Sequence, residues 1–420
     1  MKGGFLIKGG KALKGEVRIG GYKNSAGAIL CATLLCEEDC VIDNIPLVSD
    51  IFGLIKILKE MGVEIEWLDE KKIKVNAKNI DPQKLDFEEI EKSRVSVLLL
   101  APLFVRFKNF KFPHPGGDKI GLRPITTHLE GFKSLGAEIF QEGSFYYFKR
   151  RKELVGRKIV LKEFSVTATE NLMMAGVLAR GETEIKLAAA EPQVQDLGEL
   201  LRKMGAKIEG LGSHHLKIKG VKRLKGVYHK IISDPLEVGT FVIASLITQG
   251  EIKINPVNFN HLEIFLERLK EMGARLKIES KDSLKIFPSL KLKPIKIQAL
   301  PYPGFPTDLI PPLIPLLTQI GGKSLIHDPL YENRFNFIQE LRKMGADIEI
   351  VDPHRAFIFG KTELVGNKIE SWDIRAGASL ILAGLCAKGE TLIRNINQID
   401  RGYEKIDEKL KNLGAEIKRI

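Results

Sequence analysis

The chain has 420 residues, 44% of them hydrophobic and 28% charged, with a formal net charge of +12. That length sets a prior of two or three domains, and the composition is that of an ordinary globular protein. The positive charge does not single out a nucleic-acid binder: lysines and arginines alternate with glutamates, as in Glu267-Arg268-Leu269-Lys270-Glu271, the pattern of solvated helix faces.

No early stretch has the charged, apolar and small-residue sections of a signal peptide. The longest apolar run, 95–105, is too short to span a bilayer. A cytoplasmic protein with no membrane association is expected. Cys31, Cys36, Cys40 and Cys386 form no Cys-x-x-Cys pair and have no histidine at zinc spacing, so buried free thiols and no metal are expected. Gly9-Gly10-Lys11 is not a phosphate-binding Walker loop, and Gly20-Gly21 is not a dinucleotide fingerprint.

Along the chain, the first apolar helix is predicted over 26–35, behind Gly20-Gly21-Tyr22-Lys23-Asn24-Ser25. An amphipathic helix over 51–61 follows, ending in Met61-Gly62-Val63-Glu64-Ile65 and an alternating strand. The signature Met/Leu-Gly-small-charged-apolar returns at Gly136, Gly205, Gly273, Gly345 and Gly414, at intervals of 68 to 74 residues. Each glycine suits the left-handed position that ends a helix. Further apolar helices are predicted over 172–178, 241–247 and 378–386, several followed by Gly-Glu and a strand. The chain therefore reads as six repeated βαβαββ units. Wholly apolar helices need burial on every side, so three units per domain is the expected arrangement.

The junctions before the apolar helices carry polar residues. Lys23, Arg94, Thr167, Asp234, Asp308 and Arg375 stand 37 to 42 residues ahead of their repeat glycines. N-capping accounts for Thr167 and Asp234. It does not account for Lys23, Arg94 and Arg375, since cations oppose the helix dipole there and point instead to a bound anion. The second unit also has extra chain: Pro115 to Gly136 spans 21 residues, whereas Pro46 to Gly62 and Pro329 to Gly345 each span 16. The surplus is the loop His114-Pro115-Gly116-Gly117-Asp118-Lys119-Ile120-Gly121-Leu122-Arg123-Pro124, expected to be a mobile active-site loop with Asp118 at its tip.

At these residues the chain resembles the UDP-N-acetylglucosamine enolpyruvyl transferases. The match runs along the whole chain through Gly-Tyr-Lys23-Asn24-Ser, Pro115-Gly-Gly-Asp118-x-Ile-Gly-x-Arg123-Pro124, Phe305-Pro-Thr-Asp308, Tyr331-Glu332-Asn333-Arg334-Phe335 and Ile399-Asp400-Arg401-Gly402-Tyr403-Glu404. The resemblance implies a two-domain inside-out α/β barrel of the enolpyruvyl transferase fold. One discontinuous domain would comprise 1–21 and 231–420, and an inserted domain 22–230 would carry the loop 114–124. It also implies transfer of the enolpyruvyl group of phosphoenolpyruvate to the 3′-hydroxyl of UDP-N-acetylglucosamine, the first committed step of peptidoglycan synthesis, with no cofactor, no nucleic acid and no obligate protein partner.

Carried over residue by residue, Asp308 would be the base and Asp118 the proton donor. Lys23, Asn24, Arg123, Arg334, Arg375 and Arg401 would hold phosphoenolpyruvate. Arg94, Arg123, Pro124, Ile125, Thr126, Thr127, Glu163, Ser165, Val166, Asp308 and Leu330 would hold the UDP-sugar. Asp118 replaces the cysteine of most relatives, which implies fosfomycin resistance. Thr126 stands where the family often has aspartate, and Glu163, beside Lys162, where it often has lysine. The alternatives are an enolpyruvylshikimate-phosphate synthase, whose Ser-Lys-Ser helix start is absent here, and a non-catalytic homologue.

Overall fold

The computed structural model describes residues 3–118 and 120–420; Lys119 of the loop lies outside the described residues. The chain forms two compact units. The first comprises Met1–Gly20, Lys119–Leu122 and Ser233–Ile420, and the second Gly21–Asp118 with Arg123–Ile232. The stretch 120–122 thus groups with the first unit, whereas the sequence reading put the whole 114–124 loop in the inserted domain. Within the first unit the Leu122 N–H donates to Glu332 Oε1 at 2.6 Å, and the Asn333 N–H to the Ile120 carbonyl at 3.0 Å.

Each unit is a repeat of one α/β module around apolar helices. Six are followed here in chain order: α1 (Lys23–Thr33), α2 (Leu100–Arg106), α3 (Val166–Gly176), α4 (Pro235–Ile247), α5 (Ile310–Thr318) and α6 (Ile374–Cys386). In the first unit α4, α5 and α6 pack against one another, and every residue of α4 and α5 is buried. In the second, α2 packs on α3, and the 3-10 turn Arg94–Leu99 ahead of α2 packs on both α1 and α3.

Where whole helices are described by apolar runs, their starts are missed. α1, α3, α4 and α6 begin three to six residues before the predicted 26, 172, 241 and 378. At the starts of α3, α4 and α6 the chain is polar because side-chain oxygens satisfy the free N–H groups there. Asp234 Oδ1 accepts from Leu236 and Glu237, and Asp373 Oδ1 from Arg375 and Ala376. Ser165 Oγ accepts from Ala168, so Ser165 caps α3, and Thr167, expected to be the cap, lies inside the helix. α1 has no side-chain cap. A cap contributes about 1 kcal/mol, which burying Ile29 and Leu30, at about 1.5–3 kcal/mol each, outweighs.

The repeat glycines end the outer helices as their spacing predicts. Gly62, Gly136, Gly205, Gly273, Gly345 and Gly414 all have φ between 94° and 107°. At each, the glycine N–H and the next N–H return to the carbonyls three and five residues back, as in Gly62 to Lys59 and Val63 to Leu58. This is a Schellman closure made six times over.

Among the described residues, five sheets have four strands and one has three. The four-stranded sheets join antiparallel neighbours to one parallel edge strand. Distant chain segments complete some of them. In the first unit Lys14–Arg18 lies parallel to Glu251–Asn255, and Gly4–Lys8 lies between Glu390–Arg394 and Glu416–Arg419. In the second unit Tyr228–Lys230 lies parallel to Cys40–Asp43. The three-stranded sheet, Asn109–Pro113 with Phe145–Lys149 and Glu138–Glu142, belongs to the repeat with the long loop.

Candidate active site

In the first unit, the start of α5 presents a carboxylate between two guanidinium groups. Asp308 lies in the 3-10 turn Thr307–Leu309 ahead of α5. Its Oδ1 is 3.0 Å from Arg334 Nη2 and its Oδ2 3.1 Å from Arg375 Nε. Arg334 and Arg375 are buried, while Asp308 keeps part of its carboxylate exposed. Burial works against a charged Arg334, but Asp308, Asp328 and Asp373 outweigh it and raise its pKa.

Asp328, fully buried, organises the rest of this group. Thr307 Oγ1 donates to its Oδ2 at 2.5 Å, the Leu330 N–H donates to its Oδ1 at 3.0 Å, and Arg334 Nε stands 3.6 Å away. Four predicted residues (Asp308, Leu330, Arg334 and Arg375) therefore belong to one connected cluster. Tyr331 and Tyr403 add ring faces, 4.8 Å from the Arg334 and 5.2 Å from the Arg375 guanidinium carbon. Arg401 follows the short helix Asn397–Asp400 and donates from Nη1 to Gln398 Oε1 at 3.0 Å. Asp234, buried below α4, has its pKa raised to about 6 by burial, with Glu237 adding to the rise and Arg375 opposing it.

In the second unit, the first turn of α1 carries Lys23 and Asn24, both partly exposed. Lys23 Nζ is paired with Asp50 Oδ2 at 2.9 Å, and Asn24 Nδ2 donates to the Tyr22 hydroxyl at 3.3 Å. Arg94 opens its 3-10 turn and donates from Nη1 to the Arg123 carbonyl at 2.6 Å and from Nη2 to the Pro124 carbonyl at 3.2 Å. Added Cβ atoms show how closely the loop's base is fitted. One at Gly117 would lie 2.8 Å from Arg94 Cβ and 3.1 Å from Arg123 Nη1, and one at Gly116 only 1.8 Å from the Glu91 carbonyl. Asp118, next in the chain, is partly buried.

Beyond Pro124, Ile125 and Thr127 are buried and Thr126 is exposed. Thr127 Oγ1 donates to Glu163 Oε1 at 2.7 Å, which joins two predicted residues, and Ser165 and Val166 follow at the start of α3. Lys162 turns to Glu130, 2.8 Å away.

Sequence reading missed the partners that hold these residues. His128 is buried, with Nε2 3.1 Å from Thr167 Oγ1 and Nδ1 3.0 Å from Asn171 Nδ2. Burial, with Arg94 nearby, lowers its pKa to about 3, so the ring is neutral. Asp50, Asp328, His128 and Asn171 have no local motif; only the fold brings them to their partners. Among the described residues no cluster of three or more histidine, cysteine, aspartate or glutamate side chains could hold a metal ion. No helix there is long and apolar enough to cross a membrane.

A family model described as EPSP synthase (3-phosphoshikimate 1-carboxyvinyltransferase) matches residues 7–410. The chain is 44% identical over 417 residues to UDP-N-acetylglucosamine 1-carboxyvinyltransferase 2 of Clostridium tetani, covering 99% of each chain. It is 44% identical over 418 residues to UDP-N-acetylglucosamine 1-carboxyvinyltransferase 1 of Carboxydothermus hydrogenoformans, covering 99% of this chain and 98% of that one. Among solved structures it superposes on the enolpyruvyl transferase NikO from Streptomyces tendae with a TM-score of 0.90 at 24% identity, covering 100% and 99% of the chains. With an EPSP synthase from Acinetobacter baumannii the TM-score is 0.75 at 20% identity, covering 100% of both. At such identities these structures establish the enolpyruvyl transferase fold alone, two α/β units of repeated modules. The full-length identity to the sugar-nucleotide enzymes goes further, and the chain belongs to the UDP-N-acetylglucosamine 1-carboxyvinyltransferase family.

Proposed function

We propose that this protein transfers the enolpyruvyl group of phosphoenolpyruvate to the 3′-hydroxyl of UDP-N-acetylglucosamine, releasing phosphate, and so opens peptidoglycan synthesis. The observation that carries this reading is the 44% identity along 99% of both chains to an enzyme of that name. The carboxylate set between two guanidinium groups supports it, because the chemistry needs a base within a field that holds anions.

Asp308 takes the proton of the acceptor hydroxyl as that oxygen bonds to C2 of phosphoenolpyruvate. Asp118, as the carboxylic acid, delivers a proton to the methylene carbon, and a tetrahedral phosphate adduct results. Loss of a methyl proton with cleavage of the C2–O bond to phosphate then restores the double bond and yields the enol ether. Lys23, Asn24, Arg123, Arg334, Arg375 and Arg401 bind the phosphate and carboxylate. Arg94, Arg123, Pro124, Ile125, Thr126, Thr127, Glu163, Ser165, Val166 and Leu330 bind the sugar nucleotide. The Thr127–Glu163 hydrogen bond gives the acidic Glu163 a role in shaping this part of the site rather than in neutralising a diphosphate.

The test is phosphate release from phosphoenolpyruvate with UDP-N-acetylglucosamine and, separately, with shikimate 3-phosphate. Release with the first alone supports the reading. Release with the second alone moves the chain to the shikimate reaction, and silence with both removes the enzyme assignment.

A further inference from the structure

A buried polar chain in the second unit takes no part in the chemistry above, yet it reaches Tyr22 and Ser25, the residues on either side of Lys23 and Asn24. Its centre is Asp196, on the helix Pro192–Lys203. Ser25 Oγ donates to Asp196 Oδ2, and so does the Ile232 N–H at 3.3 Å. His229 Nε2 lies 2.9 Å from Asp196 Oδ1, and Lys203 Nζ lies 3.3 Å from His229 Nδ1. Ser25, Asp196 and His229 are 0%, 5% and 2% exposed. A buried carboxylate is tolerated only when its acceptor sites are filled, and here three donors fill them.

The tautomer follows from the donors. An ammonium group can only donate, so His229 Nδ1 carries the lone pair and Nε2–H donates to Asp196. Asp196 accepts on both oxygens. An asparagine could not replace it: with its oxygen toward Ser25 and Ile232, its NH₂ would face the N–H of His229, and the flipped amide would face the other two donors.

The connections close a ring around the start of α1. The Tyr22 N–H donates to the Ile232 carbonyl at 2.8 Å, while the Ile232 N–H reaches Asp196, which holds Ser25. Both sides of the Lys23–Asn24 pair are thus pinned to a single residue, Ile232, the last of its unit. α1 lacks a side-chain cap, so this ring restrains its first turn where a capping side chain would otherwise act.

We propose that Asp196, through Ser25 and Ile232, is a positioning residue that sets Lys23 and Asn24 for phosphoenolpyruvate. The inference rests on the reading of Lys23 and Asn24 as phosphoenolpyruvate ligands. Substrate binding then depends on a carboxylate that touches no substrate, since a small misplacement of a binding group is costly in rate and affinity.

The experiment compares Ser25→Ala, which removes one hydroxyl, with Asp196→Asn and with Thr33→Val. Thr33, near the other end of α1, donates its hydroxyl to the Leu30 carbonyl within the helix and serves as the structural control. The readouts are the KM for each substrate, the thermal midpoint, and the rate at which an acylating reagent labels Lys23, followed by peptide mass spectrometry. Ser25→Ala is expected to raise the KM for phosphoenolpyruvate about tenfold and to leave that for UDP-N-acetylglucosamine within about twofold, the split expected when only one substrate's ligands are displaced. Lys23 labelling should rise severalfold. Asp196→Asn should do the same more strongly if it folds, and Thr33→Val should lower the midpoint alone. Equal changes in both KM values, or a rise in the phosphoenolpyruvate KM for Thr33→Val as large as that for Ser25→Ala, would overturn the proposal. Faster labelling without the KM split keeps the clamp and removes Lys23 from phosphoenolpyruvate binding, which is a failure of the site reading instead.

Discussion

Replacing Asp308 with asparagine separates chemistry from structure at one position. The substitution keeps the shape and one acceptor oxygen but removes the charge between Arg334 and Arg375, which lie 3.0 and 3.1 Å away. Loss of a general base costs about 10²–10⁴ in rate. Breaking a buried ion pair costs about 3–5 kcal/mol. The Asp308 side chain, however, is 29% exposed, and Asp328 still faces Arg334 at 3.6 Å. Solvent and the remaining carboxylate therefore cut the loss to about 1–3 kcal/mol. In a unit of this size that lowers the melting midpoint by about 3–10 °C. Phosphate release at saturating substrates measures the first effect and differential scanning calorimetry the second. A kcat within tenfold of the native value would remove Asp308 as the base, whatever the midpoint did. An unchanged midpoint with a collapsed rate would show that the two arginines do not need its charge for folding.

Other expectations concern the loop, the buried histidine and the repeat glycines. Asp118→Asn should lower kcat by about 10² or more, and an unchanged rate would take Asp118 out of the mechanism. Because a carboxylate lacks the soft nucleophilicity of a thiolate, fosfomycin should leave activity intact and form no stoichiometric adduct at Asp118 in the mass spectrum. The His128 pKa, lowered by burial to about 3, is a depressed one, so its contribution is complete above the unfolded value near 6.5 and is lost as pH falls toward 3. Between pH 7 and pH 5 this amounts to about 2 kcal/mol, and His128→Gln should flatten the fall in urea midpoint over that interval; an identical slope would refute it. Gly116→Ala, which sets a Cβ against the Glu91 carbonyl, should damage activity through the loop's base. Gly205→Ala meets open space and should cost only about 1 kcal/mol for its left-handed backbone, seen as a midpoint shift without loss of turnover.

The repeat was legible because its mark is local. A glycine that ends a helix with a left-handed residue needs no distant partner, and six such glycines gave the period, the outer helices and the following strands. The starts of the apolar helices were less legible, since a polar first turn has no hydrophobic period, although Asp234 was read correctly as a cap and Asp373 and Ser165 were not. The charged residues of the candidate site stood out as cations where the helix dipole disfavours them. Their partners did not. Asp196 is 171 residues from Ser25 in sequence, and Asp308 is 67 from Arg375. Contacts of that range follow from the packing of modules, and neither periodicity nor spacing encodes them.

The three-stranded sheet has a consequence for how such a chain can change. Elsewhere the strand after an apolar helix is flanked by a parallel neighbour, so its register is fixed from two sides. Asn109–Pro113 pairs with Phe145–Lys149 on one side only, and the short helix Phe87–Ile90 packs near it, with Lys111 over the rings of Phe87 and Phe145. Side-chain cover of this kind protects an open edge without dictating a ladder. Residues can therefore be gained or lost after Pro113 with no strand slipping against another. Among six copies of one module, this is where a lineage could vary loop length and reactive group while leaving the framework untouched.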